Sequence, residues 1–239
     1  MVSVNRLQKA FGDLRVLRDF SLDLHEGENV AVLGKSGSGK SVLIKCIIGL
    51  IQPDAGSIIV DGENVAGLSN NSLNDLRLKI GFLFQSNALY DSMTVRENLE
   101  FPLRHHAVKT SKKDMDELVM EALTNVGLAD AIDFMPEQLS GGMRKRIALA
   151  RTIILKPKII LYDEPTTGLD PITSKEISML MLELQKKYNV SSIIISHDMN
   201  CVKLTANRLV MLVDGTCLAN GTYNEMQQLE DPRVKQFFD

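Results

Sequence analysis

The feature that most constrains this chain is a short apolar run, Asn29 to Leu33, followed by Gly34-Lys35-Ser36-Gly37-Ser38-Gly39-Lys40-Ser41 and then by residues 41–50 with helix-like apolar spacing. Strand, glycine-rich turn and helix in that order match the pattern G-x-x-x-x-G-K-[ST] at every fixed position. The residue types answer a physical need. Glycines let successive backbone N–H groups turn inward as an anion nest, and the start of the following helix adds partial positive charge. Lys40 can then reach β- and γ-phosphates, and Ser41 can ligate Mg²⁺. A buried strand that delivers such a turn calls for an α/β core.

The remaining apolar runs agree. Residues 158–162 and 192–195 are continuous in β-branched and apolar side chains without alternation, as expected for parallel strands covered on both faces. Between them Ile177, Leu180, Met181 and Leu184 mark a helix of the length a parallel crossover needs. Residues 208–213 and 216–219 read as a hairpin joined at Asp214-Gly215. The middle of the chain is different: Ser111, with Asp114 three residues on, opens a helix whose stripe is Met115, Leu118, Val119, Ala122, Leu123 and Val126. The expected organisation is one domain over residues 1–239. About 1–72 and 156–239 form the core, and about 73–155 form an inserted helical subdomain.

Composition narrows the function. A 239-residue chain with 44% hydrophobic and 24% charged residues can bury a full core. Its net charge of -3 gives no electrostatic case for nucleic acid as a partner. Cys46, Cys201 and Cys217 are odd in number and lack metal-ligand spacing, so they are expected to be reduced and buried. No run approaches the ~18 apolar residues a membrane span requires, and charges interrupt the first residues where a signal peptide would lie. The chain is expected in the cytoplasm, with any span supplied by another chain.

Two further stretches carry chemistry. Residues 159–164 put Asp163 and Glu164 at the end of a buried strand, where open α/β sheets hold their ligands. Beside a phosphate loop, Asp163 suits the Mg²⁺ shell and Glu164 the base that polarises an attacking water. Leu139-Ser140-Gly141-Gly142-Met143 opens a helix expected to run to residue 155, so its free N–H groups make a second anion site. The adjacent His105 and His106 cannot share a helix face and read as surface or interface residues.

Taken together, the sequence resembles the ATP-binding-cassette (ABC) ATPases over essentially its whole length, with the motifs in the family's order. The resemblance adds a Q-loop at Gln85, a signature at Leu139 to Met143, a D-loop at Gly168-Leu169-Asp170 and a switch histidine at His197. Phe11 sits where the family keeps an aromatic that stacks on adenine. The family fold implies a P-loop parallel-sheet core with an N-terminal antiparallel β portion and an inserted helical subdomain. It also implies ATP and Mg²⁺ as cofactors. Gln85, Glu164 and His197 would form the catalytic group, and Ser41, Gln85 and Asp163 the metal group. Phe11, the loop from Gly34 to Ser41, Val42, Ser140, Gly141, Gly142 and Asp170 would bind nucleotide. Two copies would pair head to tail, each ATP lying between one phosphate loop and the partner's signature helix.

Residues 81–95, Met143 in place of the usual glutamine, and Asp231-Pro232-Arg233-Val234 resemble the subgroup that serves Mce-type lipid transporters. That resemblance implies a place beneath an inner-membrane permease, beside an Mce-domain lipid-binding protein, powering phospholipid movement in the envelope. A regulatory ABC ATPase of the cell-division type would share the same catalytic residues and stays open as an alternative.

Overall fold

The computed structural model describes residues 1–105 and 111–238. The chain opens with two long antiparallel strands, β1 (Val2–Phe11) and β2 (Leu14–Leu24), before the buried β3 (Asn29–Leu33) and α1 (Lys40–Ile47). Left-handed Gly49, at φ +67°, ends α1 short of the expected residue 50. β4 (Ala55–Val60) and the two-residue β5 (Glu63–Asn64) return to the antiparallel portion, and α2 (Asn70–Leu78) leads into β6 (Ile80–Leu83). The helices α3 (Val95–His105), α4 (Lys112–Asn125) and α5 (Gly141–Ile153) follow. Ser111 and Asp114 form the expected capping box, each side chain bonding the other's N–H. The α5 helix stops two residues before the expected end.

β7 (Ile159–Asp163), α6 (Pro171–Tyr188) and β8 (Ser191–Ile195) make the crossover read from the sequence. The chain closes with α7 (Met199–Thr205), the hairpin β9 (Arg208–Val213) and β10 (Thr216–Gly221), α8 (Tyr223–Gln227) and α9 (Pro232–Lys235). One curled sheet has the order β5-β4-β1-β2-β10-β9-β3-β8-β7-β6. The run β9-β3-β8-β7-β6 is parallel, while β1 pairs antiparallel with both β2 and β4. Thus β6, within the middle stretch, is an edge strand of the parallel sheet, and the inserted helices begin beyond it.

Alternate side chains of the parallel strands enter different cores, which is why their sequences are apolar throughout. Val30, Val32, Leu161, Ile193 and Ile195 pack with Leu43 and Ile47 of α1 and Phe20 of β2. Ile160, Tyr162 and Ile194 face Leu99, Leu123, Ile147 and Ile177 of the helices. Ala31, Leu33 and Met211 pack with Val202, Met226 and Val234. Among the described residues no helix is long and apolar enough to cross a membrane. Cys46 and Cys201 are buried free thiols as expected, whereas Cys217, on the half-buried β10, is only partly covered.

Since the strands run parallel, their carboxyl ends share one edge of the sheet: β3 leads into the phosphate loop, β6 toward Gln85, β7 to Asp163 and β8 to His197. The opposite edge is fastened by Asn29. Its amide nitrogen donates to Gln185 Oε1 and Thr205 O, both at 2.9 Å, and its oxygen accepts from Ser192 Oγ. Asn29→Ala orphans the buried Ser192 Oγ and Thr205 O and should cost roughly 2–4 kcal/mol in urea unfolding, with ATP affinity unchanged at the far edge.

Candidate functional site

The phosphate loop is held open by what α1 lacks. Gly39 caps α1 at φ +105° and offers no side-chain acceptor, so the first N–H groups of the helix remain available to an anion. A Cβ at Gly39 would lie 2.8 Å from Val16 Cγ1 and one at Gly34 2.5 Å from Leu212 O, so close packing as well as conformation selects glycine. Lys40 folds back over the loop, donating from Nζ to Gly34 O at 2.7 Å and Lys35 O at 3.0 Å. Burial pushes its pKa below the ordinary lysine value, and the nearby Glu164 and Asp163 charges oppose that.

Asp163 ends β7, and its Oδ1 lies 3.4 Å from Ser41 Oγ. Burial raises the pKa of its carboxyl, the neighbouring Glu164 pushes in the same direction, and the Ser41 hydroxyl pulls against both. Glu164 takes a left-handed backbone at φ +52°, an uncommon state for a residue with a Cβ. Its N–H still reaches Ile195 O at 2.9 Å, while Oε2 lies 2.8 Å from His197 Nδ1 and accepts from Thr167 Oγ1 at 3.1 Å. The His197 side chain is two-thirds exposed and the Glu164 side chain 12% exposed, so the histidine stands on the solvent side of a covered carboxylate.

A cleft of 610 Å³ brings together Phe11, most of the phosphate loop, Val42, Gln85, Asp163, Glu164 and His197. Its size suits a nucleotide. Ser38 is the exception in the loop: it lines an adjoining 400 Å³ cleft, and its Oγ is buried without a partner. Three residues of the main cleft carry no sequence motif, Val16 of β2, Ile195 at the end of β8 and Phe237 just after α9. The donor set suits Mg²⁺, since Ser41 Oγ and Asp163 Oδ1 already converge as hard oxygens and a cation there would relieve the Asp163 charge. Among the described residues no three His, Cys, Asp or Glu side chains converge on one point. Mg²⁺ would therefore be shared with substrate phosphates, its usual habit.

The other motif residues lie outside this cleft. Ser140 caps α5, accepting from Met143 N at 3.2 Å, and Gly141 lines a separate 250 Å³ pocket with Gly168 and Leu169. A Cβ at Gly142 would come within 2.8 Å of Thr173 Cγ2, so α5 packs closely on α6 there. Asp170 caps α6 through Ile172 N and Thr173 N at 3.0 and 3.1 Å. Within one chain the two anion-facing helix starts do not meet. His105 ends α3 at the surface, its ring 5.7 Å from Phe101, while His106 lies outside the described residues.

Residues 17–167 match the family model described as ABC transporter. The chain belongs to the ABC transporter ATPases. Its ABC relatives include the intermembrane phospholipid transport system ATP-binding protein MlaF of Haemophilus influenzae, 38% identical over 99% of this chain and 89% of that one. MlaF of Escherichia coli is 40% identical over 95% of this chain and 84% of its own. A probable ribonucleotide transport ATP-binding protein of Mycobacterium tuberculosis is 38% identical over 99% of this chain, which spans 66% of that relative's length. Among solved structures, a dimeric ATP-binding cassette with ADP and Pi bound superposes with a TM-score of 0.84 at 31% identity, covering 93% of this chain and 98% of that one. A cassette of the cbiONQ ABC transporter complex from Clostridium perfringens superposes at 0.86 with 28% identity over 99% and 98% of the two chains.

In this ABC cassette the half-buried Asp163 charge is a local liability. Its folded pKa lies above the unfolded value, so the penalty exists above the folded pKa and fades as pH falls toward the ordinary carboxylate range. Asp163→Asn should raise the melting midpoint of the nucleotide-free chain at neutral pH, by a margin that shrinks in acid. The same variant should lose the extra stabilisation that Mg²⁺ adds to ATP in the melting assay.

Proposed function

We propose that this chain is the ATP-hydrolysing subunit of a transporter that moves phospholipid between membranes of a bacterial envelope. The observation that carries the reading is identity of 38–40% to two proteins named MlaF along nearly the whole chain. The partners would be a second copy in head-to-tail contact, a membrane permease and an Mce-domain lipid-binding protein. The chain would sit peripherally on the cytoplasmic face of the inner membrane. Pairing accounts for the divided site: the open start of α1 faces the main cleft, while Ser140, Gly141 and Gly142 open α5 elsewhere and would complete a partner's cleft.

In the chemistry proposed here, Phe11 stacks on adenine and residues 34–41 wrap the phosphates with backbone N–H groups. Lys40 leaves the Gly34 and Lys35 carbonyls for the β- and γ-phosphate oxygens. Mg²⁺ bound at Ser41, Asp163 and Gln85 would offset the negative charge of the phosphates. Glu164 orients and polarises the attacking water, and His197, 2.8 Å from Glu164, contacts the γ-phosphate and holds the catalytic geometry. Glu164→Gln should retain ATP affinity yet lower turnover by roughly 100-fold or more, and should run as a dimer on gel filtration with ATP. Turnover at the parent rate would remove Glu164 from the role of base.

The deciding experiment is purification of the chain from its native membrane in mild detergent, with mass spectrometry of the proteins and small molecules that accompany it. A permease and an Mce-domain protein carrying phospholipid are expected. Nucleotide cargo would favour the reading suggested by the mycobacterial relative's name, and a membrane partner tied to cell-wall hydrolases would favour regulation without transport.

A further inference from the structure

Two cationic side chains of α5 carry the backbone that follows β6. Lys145 Nζ donates to Gln85 O at 3.3 Å, while Arg151 Nη1 and Nη2 donate to Ala88 O at 2.7 Å and Asn87 O at 3.1 Å. This segment has left the sheet at Leu83, and α5 supplies the donors to its carbonyls that a neighbouring strand would otherwise provide. Asn87 and Ala88 are both left-handed, at φ +64° and +49°, a backbone state that side chains with a Cβ seldom take unless their surroundings impose it.

Lys145 is the unusual member of the pair. It is 1% exposed, and none of the described carboxylates bridges to it. One neutral carbonyl at 3.3 Å does not compensate the burial of an ammonium group, and an apolar side chain of similar length would fill the same volume more favourably. The charge therefore calls for a reason outside packing. A second acceptor stands nearby: Asn87 Oδ1 is buried without a partner, and Asn87 lines the same 250 Å³ pocket as Lys145 and Gly141. Lys145 has further N–H groups to offer it, so a small displacement of the segment can exchange one acceptor for the other.

We propose that Lys145 is a positioning residue for Gln85, tying the Q-loop backbone to the start of α5 so that movement of the Ser140 end shifts Gln85 in its own cleft. Ser140 stands about 7.5 Å along the helix axis from Lys145, and a continuous helix transmits such a shift without bending. In the head-to-tail pair proposed above, the Ser140 end contacts the nucleotide on the partner. Lys145 then links occupancy of one site to geometry at the other. This inference rests on the ATPase reading and is independent of the transported substrate.

The test compares Lys145→Met and Lys145→Arg in the complete transporter complex, measuring hydrolysis against ATP concentration, fluorescent-nucleotide affinity and melting midpoint. The methionine variant should melt no lower than the parent and bind nucleotide as well, yet lose about tenfold in kcat, with its Hill coefficient falling toward 1. Arginine, which keeps the charge and donors, should restore both. Parent kcat and cooperativity in the methionine variant overturn the proposal. So does a loss of kcat that follows a lowered melting midpoint and that arginine does not repair, since that is the behaviour of a structural residue. A parent complex that binds ATP without hydrolysing it would overturn the ATPase reading itself.

Discussion

The N–H groups at the start of α1 have no side-chain acceptor among the described residues, and the arrangement of the site follows from that deficit. Gly39 keeps the helix start open, and its contact with Val16 admits no side chain that could close it. The nearest cation, Lys40, rests meanwhile on two carbonyls of its own loop. Across the cleft the end of β7 sets Asp163 and Glu164 side by side, with burial already working against the Asp163 charge. The free N–H groups and Lys40 are thus donors that a nucleotide's phosphates can take over.

The sheet explains why these groups are close although they are scattered along the sequence. β3, β6, β7 and β8 run the same way, so every turn at their carboxyl ends opens on one side. Close packing at the other edge, through Asn29 and its partners, holds the strands in register. Among the described residues no buried side-chain polar atom at that edge lacks a partner, whereas the site edge tolerates orphans such as Ser38 Oγ and Asn87 Oδ1. Unsatisfied groups concentrated at the working edge are what a site that changes partners during its cycle requires.

Much of this was legible in the sequence where one physical demand dominates a segment. β3, β7 and β8 are covered on both faces, so their apolar runs carry no ambiguity, and the glycine spacing of the phosphate loop has few other uses. The antiparallel portion was expected only from the family resemblance. In β1 the left-handed Arg6 and successive register shifts break the alternation that would mark a strand. Lys145 carries no signal in the sequence, because nothing local distinguishes a buried ammonium from an exposed one. Val16 and Phe237 were equally silent, since each enters the cleft through tertiary packing and belongs to no local pattern.

Phe237 has a practical consequence for nucleotide binding. It lies in the turn after α9, lines both the nucleotide cleft and the basic hollow behind the phosphate loop, and is only partly covered by the packing that includes Tyr223 and Phe238. A polar or charged side chain at position 237 would therefore stand in the wall of the nucleotide cleft rather than on a neutral surface. Its length and charge would enter any measured ATP affinity as surely as a substitution in the phosphate loop.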